Sequence, residues 1–325
     1  MRPFVPLVRN SHLATIASNF WPRHKELSDF PVRPVRYETA PDVGVLVQEQ
    51  RPAASCLGEI ILVHGLEGSS EGGYMQSMAY NALCASYAVH RVNIRGCGGT
   101  EQWCRTLYHA GLTDDLHHIL RKIADRAEGP IFLVGYSLGG NIVLKLTAEG
   151  GPHAAAIAVS TPIDLHSCVR ALSRRGNFVY EHRFISRMRK RLRERANHYP
   201  SVFGPLAERA AQGDIRTIYD FDDHITAPFF GFGNAPNYYA TQSAQNFLGD
   251  IKIPTLLITA QDDPLVPFEV YSHPAIAANP NLELLAPQYG GHVAFLSRQK
   301  PRFWADEVML AWFTNVRNKL YQLSR

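Results

Sequence analysis

The clearest chemical signal in the sequence is a serine flanked by glycines. Ser137 lies in Gly135-Tyr136-Ser137-Leu138-Gly139, between an apolar run that predicts a strand and a segment that predicts a helix. A sharp strand-to-helix turn exposes a serine for nucleophilic attack, and flanking glycines avoid collisions with neighbouring backbone. The N-terminal end of the helix stabilises a developing oxyanion. The pattern predicts that Ser137 is a catalytic nucleophile; the alternative is a glycine-serine turn without chemistry.

A serine hydroxyl needs a general base, which is most often a histidine. In the chain order serine, acid, histidine, the base follows the last predicted strand. His292 has this position, directly after Gly290 and Gly291, whose small size lets the loop approach the serine. His273 also follows the candidate acids, but it falls in a predicted helix before the last strand. We therefore predict that His292 is the base.

The acid that orients the histidine should follow the strand predicted over residues 255–260. Asp262 and Asp263 both stand there, directly before Pro264. The common arrangement places the acid three residues beyond the small residue that ends the strand, which favours Asp263. Asp262 would then cap backbone N–H groups of the turn. In the alternative, both carboxylates only shape the turn.

An oxyanion hole requires two backbone N–H donors near the nucleophile. The residue after the serine, Leu138, supplies one, and the loop His64-Gly65-Leu66 after an early predicted strand supplies the other. We predict Leu66 and Leu138 as the donors. His64 itself is expected to form hydrogen bonds within its loop. A second glycine-rich loop, residues 95–100, has no Gly-Lys-Ser/Thr ending for phosphate binding and is expected to line the active-site floor.

Alternating strand and helix patterns must position these residues. Apolar runs with β-branched residues predict strands over residues 32–39, 43–50, 59–64, 88–95, 131–136, 155–160, 255–260 and 282–286. Helices are predicted over residues 73–87, 112–127, 138–148, 268–277 and 301–320. The alternation predicts a mostly parallel sheet covered by helices on both faces. It stops over residues 165–250, which we interpret as a helical cap inserted into a single domain spanning residues 1–325.

Composition excludes several classes of protein. The chain has 325 residues, 46% hydrophobic content and a net charge of +4, so it is long enough for a large core and is not disordered overall. No apolar stretch approaches the roughly 18 residues of a membrane span, and residues 1–21 lack the core of a secretory signal. We expect a cytoplasmic protein. Its five cysteines form no CxxC pair, and no metal-binding or dinucleotide-binding motif is present, so no cofactor is expected.

Charge is concentrated between Arg170 and Arg195, where ten Arg or Lys residues accompany Glu181 and Glu194. We interpret this run as a solvated helix face. Two alternatives are a patch that contacts an anionic membrane or substrate and, less favoured, a nucleic-acid surface. Later in the insertion, Phe229, Phe232 and Tyr238 are predicted to line a pocket for the substrate, although these aromatic residues could equally form the core of the insertion.

Several segments together resemble the YheT-like α/β-hydrolases, the bacterial relatives of the animal abhydrolase-domain 1, 2 and 3 proteins. They are residues 10–15 (NSHLAT), 64–70 (HGLEGSS), 93–100 (NIRGCGGT), 135–141 (GYSLGGN), 221–239 and 262–264. The resemblance implies an α/β-hydrolase fold and a serine esterase that hydrolyses short-chain esters or acyl lipids.

Other functions remain open on the same fold. A thioesterase, peptidase, lactonase or cofactor-free haloperoxidase would carry the same triad. A non-catalytic binding protein that has kept the fold is an alternative of a different class. No nucleic-acid partner is expected, and the oligomeric state is not indicated by the sequence.

Overall fold

One sheet runs through the molecule, whose computed structural model describes residues 2–21, 27–53 and 55–323. Within these ranges the strands are β1 (Arg33–Ala40), β2 (Val43–Gln50), β3 (Glu59–Val63), β4 (Ala88–Val92), β5 (Ile131–Tyr136), β6 (Ala155–Val159), β7 (Thr255–Ile258) and β8 (Leu282–Leu285). Their spatial order is β1-β2-β4-β3-β5-β6-β7-β8. The β1-β2 and β2-β4 pairs are antiparallel, and all other pairs are parallel.

Helices cover both faces of this sheet. Those outside the segment between β6 and β7 are α1 (Ser11–Phe20), α2 (Gly73–Cys84), α3 (Asp114–Ala124), α4 (Leu138–Glu149), α11 (Pro274–Ala278) and α12 (Trp304–Leu323). One face of β3, with Ile60 and Leu62, packs in a cluster with residues of α2 and α12. The other face, with Ile61 and Val63, packs with residues of α3 and α4. Burial on both faces explains why β3 is a continuous apolar run. The α/β-hydrolase fold predicted from the sequence is confirmed.

A helical insertion separates β6 from β7. Its helices are α5 (Leu165–Leu172), α6 (Phe178–His198), α7 (Pro200–Ala210), α8 (Ile218–Phe221), α9 (Ala227–Phe229) and α10 (Ala235–Gln242). A π-helical turn, Asp222–Thr226, joins α8 to α9, and a 3-10 turn, Leu248–Asp250, ends the series. The insertion has an apolar core of its own, which includes Ile185 and Phe203. It also contacts the loops that follow the parallel strands.

The structure differs from the sequence predictions at two helices. The prediction of one helix over residues 268–277 is wrong. The structure has a 3-10 helix, Phe268–Ser272, followed by the short α11. Pro274 is the first residue of α11, where a proline is favoured because its missing N–H would have no partner in the helix. The unpredicted helix is α1, which Asn10 caps by accepting a hydrogen bond from the Leu13 N–H at 3.0 Å.

Among the helices of the described ranges, none combines the length and apolar character needed to cross a bilayer.

Candidate active site

Ser137 occupies a strained turn between β5 and α4. Its φ of +51° lies in the left-handed region, which non-glycine residues seldom adopt. The two flanking glycines are required by close backbone contacts. A Cβ on Gly135 would lie 2.4 Å from the Gly139 carbonyl oxygen, and a Cβ on Gly139 would lie 2.4 Å from the carbonyl oxygen of His64. The turn therefore exposes the serine hydroxyl at the end of the central strands.

The three predicted triad residues form one chain of hydrogen bonds. His292 Nε2 lies 3.0 Å from Ser137 Oγ, and His292 Nδ1 lies 2.8 Å from Asp263 Oδ2. Asp263 Oδ1 also accepts hydrogen bonds from the N–H groups of Leu265 and Val266, at 2.9 and 3.1 Å. Because the Asp263 carboxylate can only accept a hydrogen bond, neutral His292 carries its proton on Nδ1 and donates it to Asp263. Nε2 then has a lone pair directed at the serine hydroxyl.

The loop that carries His292 is fixed from two sides. Thr15 Oγ1, on α1, accepts a hydrogen bond from the His292 N–H at 2.9 Å. Asp262 Oδ1 accepts one from the Gly291 N–H, also at 2.9 Å. Asp262 thus binds the histidine loop, whereas the sequence predicted that it would cap its own turn. The contribution of Thr15 was missed, and the only signal for it is the motif of residues 10–15.

The predicted oxyanion donors, Leu66 and Leu138, both lie beside Ser137 in the wall of the same cavity. The loop after β3 passes close to the serine, because a Cβ on Gly65 would lie 3.0 Å from Ser137 Cβ. Within the described chain, neither the Leu66 nor the Leu138 N–H donates to a protein acceptor. Both groups are therefore available for a substrate oxygen.

His64 stabilises this loop. Its Nε2 accepts a hydrogen bond from the Ile94 N–H at 3.0 Å, so its Nδ1 carries the proton and donates to the Gly65 carbonyl at 2.7 Å. Burial lowers the pKa of His64 to about 4. This agrees with the expectation that His64 forms hydrogen bonds within the loop.

An apolar cavity of about 120 Å³ extends from Ser137 under the insertion. We call it the inner cavity, and its apolar lining includes Leu107, Leu165, Val169, Leu172, Met188, Leu192, Ile218, Phe221 and Leu265. Tyr238 lines it, and the Tyr238 hydroxyl accepts a hydrogen bond from the Ala110 N–H at 2.8 Å. Phe229 and Phe232 are not among its lining residues. They pack in an aromatic cluster, with Phe232 centred 5.2 Å from His109.

One acidic side chain in the wall of the inner cavity was not predicted. Asp222 begins the π-helical turn, and its Oδ2 accepts a hydrogen bond from the Tyr239 hydroxyl at 2.8 Å. Burial raises the pKa of Asp222 to about 6. A carboxyl group in this position is therefore partly protonated near neutral pH.

A second opening reaches Ser137 and His292 from the side of α1 and α6. We call it the outer cavity. It shares Leu66, Ser137, Phe184, Leu265 and His292 with the inner cavity. Its remaining wall includes Thr15, Ile16 and Phe20 of α1 and Tyr180, Arg183 and Arg187 of α6. The candidate nucleophile and base therefore lie where an apolar chamber meets a more polar entrance.

The arginine-rich helix α6 is only partly solvated. Arg191 turns inward, where its Nε lies 3.0 Å from Glu67 Oε2 and its Nη1 lies 3.1 Å from Glu101 Oε1. Glu67 directly follows the predicted oxyanion donor Leu66, and it also accepts a hydrogen bond from the Tyr108 hydroxyl at 3.0 Å. Arg191 thus connects the insertion to the loop of the predicted oxyanion donor Leu66.

Arg195 is fully buried, so the solvated-face interpretation is wrong for Arg191 and Arg195. The Nη2 of Arg195 donates to the Arg95 carbonyl at 3.1 Å, in the glycine-rich loop after β4. A Cβ on Gly96 would lie 1.9 Å from that nitrogen, and Gly96 has a φ of +65°. The glycine therefore makes room for the arginine of the insertion.

The cysteines of the chain are all free thiols. Cys97, in the glycine-rich loop, is completely buried, and burial raises its pKa to about 12. A thiol with this pKa is not a nucleophile at neutral pH. In the described part of the chain, no group of three or more His, Cys, Asp or Glu residues is arranged to bind a metal ion.

Comparisons with known proteins agree with this architecture. A family model described as the α/β-hydrolase fold matches residues 59–299. Among solved structures, the esterase Pf2001 of Pyrococcus furiosus is 19% identical, with a TM-score of 0.58 over 88% of this chain and 96% of that one. At this identity the likeness supports the fold alone.

Sequence relatives are more informative. YheT of Escherichia coli (strain K12), a protein named for an inferred esterase activity, is 30% identical over 96% of this chain and 93% of its own length. Monoacylglycerol lipase of Saccharomyces cerevisiae is 27% identical over 76% of this chain. Phospholipase ABHD3 of Mus musculus is 27% identical over 77%. The chain spans 57% of the yeast protein and 61% of the mouse protein. It belongs to the α/β-hydrolase family, in the YheT-like branch that is related to the abhydrolase-domain proteins.

Proposed function

We propose that this protein is a serine hydrolase that cleaves carboxylic esters through an acyl-enzyme. The observation that carries the proposal is the hydrogen-bonded chain Ser137–His292–Asp263, with distances of 3.0 and 2.8 Å. The two N–H groups without a protein acceptor beside Ser137 support it further. The names of the sequence relatives, which include an esterase, a lipase and a phospholipase, favour short esters or acyl lipids as substrates.

In the first half of the reaction, Ser137 Oγ forms a bond to the ester carbonyl carbon while its proton passes to His292 Nε2. The carbonyl oxygen becomes an oxyanion and accepts hydrogen bonds from Leu66 N–H and Leu138 N–H. The bond to the alcohol oxygen then breaks, and His292 returns the proton to the departing alkoxide. The acyl group remains on Ser137 as an ester.

The second half repeats this sequence with water. His292 takes a proton from a water molecule, which attacks the acyl carbon. The bond to Ser137 Oγ then breaks, and the proton returns to the serine. Asp263 remains ionised throughout and stabilises the imidazolium. The acyl chain occupies the apolar inner cavity during both halves.

A fluorophosphonate probe tests this proposal most directly. It labels activated serines, so we expect labelling of wild-type protein and none of Ser137→Ala. Ester turnover of Ser137→Ala should fall by about 10⁴-fold or more if the triad acts as a unit. Ser186→Ala is the matched control, because Ser186 is an exposed serine of α6.

Two results would contradict the proposal. Ester turnover retained in Ser137→Ala, or no labelling of folded wild-type protein, would reject it. Absence of labelling would favour the non-catalytic binding protein. Faster hydrolysis of a thioester than of the ester with the same acyl group would favour a thioesterase.

We further propose peripheral contact with an anionic membrane through the segment Arg170–Arg195, assisted by α1. Leu13, Ile16 and Phe20 recur on one face of α1 and are exposed, Phe20 at 81%. The first turn of α6 also exposes two apolar side chains, Phe178 at 66% and Val179 at 68%.

These exposed residues are neighbours in space. The rings of His12 on α1 and Tyr180 on α6 stack 5.8 Å apart, and exposed Arg174 and Arg175 lie just before α6, at the start of the short 3-10 turn that leads into it. Apolar residues beside arginines are suited to the headgroup region of an anionic bilayer.

Sedimentation with vesicles tests this contact. We expect binding to phosphatidylglycerol-containing vesicles that weakens at high salt, and little binding to pure phosphatidylcholine. Arg174→Glu/Arg175→Glu should bind at least about tenfold more weakly. Arg121→Glu/Lys122→Glu on α3, also exposed, controls for the change in net charge. Equal loss in both double variants, or no binding at low salt, would reject the contact.

A further inference from the structure

Two chambers with different linings meet at the candidate nucleophile. An ester bound at Ser137 has to direct its acyl chain and its alcohol away from each other. The inner cavity lies beneath the insertion and is mainly apolar, and the two arginines in its wall, Arg191 and Arg195, are held by protein acceptors. The outer cavity opens between α1 and α6 and carries two arginines, Arg183 and Arg187. The alcohol part of a substrate would therefore face these two guanidinium groups.

Arg183 and Arg187 differ from the other basic residues around the entrance in lacking an acidic partner. They lie four residues apart on α6, which brings their positive charges to the same side of the helix. Within residues 2–21, 27–53 and 55–323, no carboxylate lies within 4 Å of either guanidinium group. Both side chains are exposed, and desolvation and the nearby charge of Arg183 lower the pKa of Arg187 against an opposing effect of Glu67. Two like charges in this position destabilise the helix unless an anion neutralises them.

The acidic residues near this pair are already bound elsewhere. The groove beside the outer cavity, which both arginines also line, contains four glutamates: Glu67, Glu71, Glu101 and Glu194. Arg191 pairs with Glu67 and Glu101, Arg91 lies 3.1 Å from Glu71, and Lys190 lies 3.6 Å from Glu194. These three cations balance all but one of the four carboxylate charges, so that Arg183 and Arg187 together bring the net charge of the groove to +1.

We propose that the outer cavity is a leaving-group subsite for a phosphate, so that the preferred substrates are carboxylic esters whose alcohol carries a phosphate group. This inference rests on the proposed function. Guanidinium groups bind phosphate oxygens through paired, charge-assisted hydrogen bonds, which two arginines one helical turn apart can share. Because Ser137 lines the same cavity as both arginines, an alcohol bound in that cavity lies beside the serine and the two guanidinium groups.

A pair of water-soluble substrates tests this inference without a lipid surface. 1-Butyrylglycerol and 1-butyrylglycerol 3-phosphate share the acyl group and the alcohol skeleton and differ in the phosphate. We expect wild-type kcat/KM to favour the phosphate ester by at least about tenfold. In Arg183→Gln/Arg187→Gln this preference should fall by about 10- to 100-fold, mainly through KM. Arg121→Gln/Lys122→Gln on α3, whose two residues line neither cavity, should keep it.

Three results would overturn the subsite. One is a wild-type preference for the neutral ester. Another is an equal loss for both substrates in Arg183→Gln/Arg187→Gln, which would mean that the arginines are structural. The third is phosphate dependence that persists in that variant. Butyryl-coenzyme A is a second phosphate-bearing substrate and shows which kind of phosphate the subsite takes. If kcat/KM for either butyryl-coenzyme A or 1-butyrylglycerol 3-phosphate depends on the two arginines, the subsite is supported. If kcat/KM depends on them for neither substrate, the subsite is rejected.

A binding measurement separates this inference from the proposed function. Glycerol 3-phosphate, added to Ser137→Ala in a calorimeter, needs no turnover to reveal the subsite. Binding that is lost when Arg183→Gln/Arg187→Gln is added supports the subsite even if the protein hydrolyses no ester. Absence of binding to Ser137→Ala and to wild type overturns the subsite even if the fluorophosphonate probe labels Ser137.

Discussion

Two aspartates, one after a strand of the sheet and one in the insertion, are equally buried at 7% exposure but have different partners. Asp263 accepts hydrogen bonds from two backbone N–H groups and faces the imidazole of His292. Asp222 is bonded by the hydroxyl groups of Tyr239 and Thr226, and burial raises its pKa to about 6. At the turn after β7, backbone N–H groups donate hydrogen bonds to the carboxylate of Asp263. Among the packed helices of the insertion, only side-chain hydroxyl groups donate to Asp222. Two carboxyl groups with the same exposure thus have different surroundings, and burial raises the pKa of the one in the insertion.

The largest effect is expected from replacing the carboxylate of Asp263, at the end of the sheet, by an amide. Asp263→Asn leaves an amide against His292, which favours the tautomer with its proton on Nε2 and so removes the base. We expect kcat to fall by about 10³- to 10⁴-fold. Asp262→Asn is the matched control and should lose less than about tenfold, because Asp262 accepts from the Gly291 N–H whereas Asp263 faces the His292 imidazole. Steady-state ester kinetics check both variants, and a larger loss in Asp262→Asn would reverse the assignment of the acid.

The next prediction concerns the ion pairs that join the two regions. Arg191→Met removes the ion-pair partner of Glu67, which lies in the proposed oxyanion loop. We expect kcat to fall by about 10- to 100-fold with a smaller change in KM, and Arg191→Lys should recover part of the loss. Arg193→Met, an exposed neighbour on α6, is the control. If kcat is unchanged and only thermal stability falls, Arg191 is structural and does not position the oxyanion loop.

A third prediction concerns the contact between Arg195 and the backbone of Gly96, which also joins the insertion to a loop of the sheet. Gly96 and Gly99 both have positive φ angles, +65° and +82°, but only Gly96 is approached by Arg195, since a Cβ on Gly99 would meet nothing within 4 Å. Gly99→Ala should lower the free energy of unfolding by about 1 kcal/mol through backbone strain alone. Gly96→Ala should lower it by about 2–4 kcal/mol, because Arg195 must also move. Urea denaturation measures the free energy of unfolding of both variants. Equal losses would show that Arg195 can move aside without destabilising the protein.

The smallest effect is a pH dependence specific to the insertion. Because the folded pKa of Asp222, about 6, exceeds its usual value of 3.8, the unfolded chain loses this proton first as the pH rises. The contribution of Asp222 to stability therefore falls between about pH 4 and pH 6. Asp222→Asn should remove on the order of 2 kcal/mol of this fall while still accepting the Tyr239 hydrogen bond. Urea midpoints at pH 4, 5, 6 and 7 test it, and an unchanged profile would contradict it.

These regions also differ in how far the sequence predicts them. Ser137, His292 and Asp263 could be located because each follows a strand at a fixed short distance, and strand ends are set by local apolar runs. The central strands were predicted to within three residues at each end. The structure brings these three side chains into hydrogen-bond contact, and their catalytic role stays a prediction.

Sequence reasoning failed where contacts join distant parts of the chain. The run from Arg170 to Arg195 was interpreted as a solvated face, because composition does not indicate that a loop 100 residues earlier receives Arg195. A signal was present in the recurrence of arginine every fourth residue from Arg183 to Arg195, which predicts one continuous stripe on α6. That stripe changes from exposed at Arg187 to buried at Arg195, and only packing determines where.

The hydrogen bond from the His292 N–H to Thr15 has a consequence for defining a minimal version of this protein. The family model begins at residue 59, so a chain trimmed to the matching segment would keep all three triad side chains. It would nevertheless lose α1, and with it the acceptor that fixes the backbone of the histidine 277 residues away. The boundary of a recognisable sequence family and the boundary of the structure that holds the proposed triad thus differ in this molecule, and the three side chains alone would be an incomplete unit for transplantation or design.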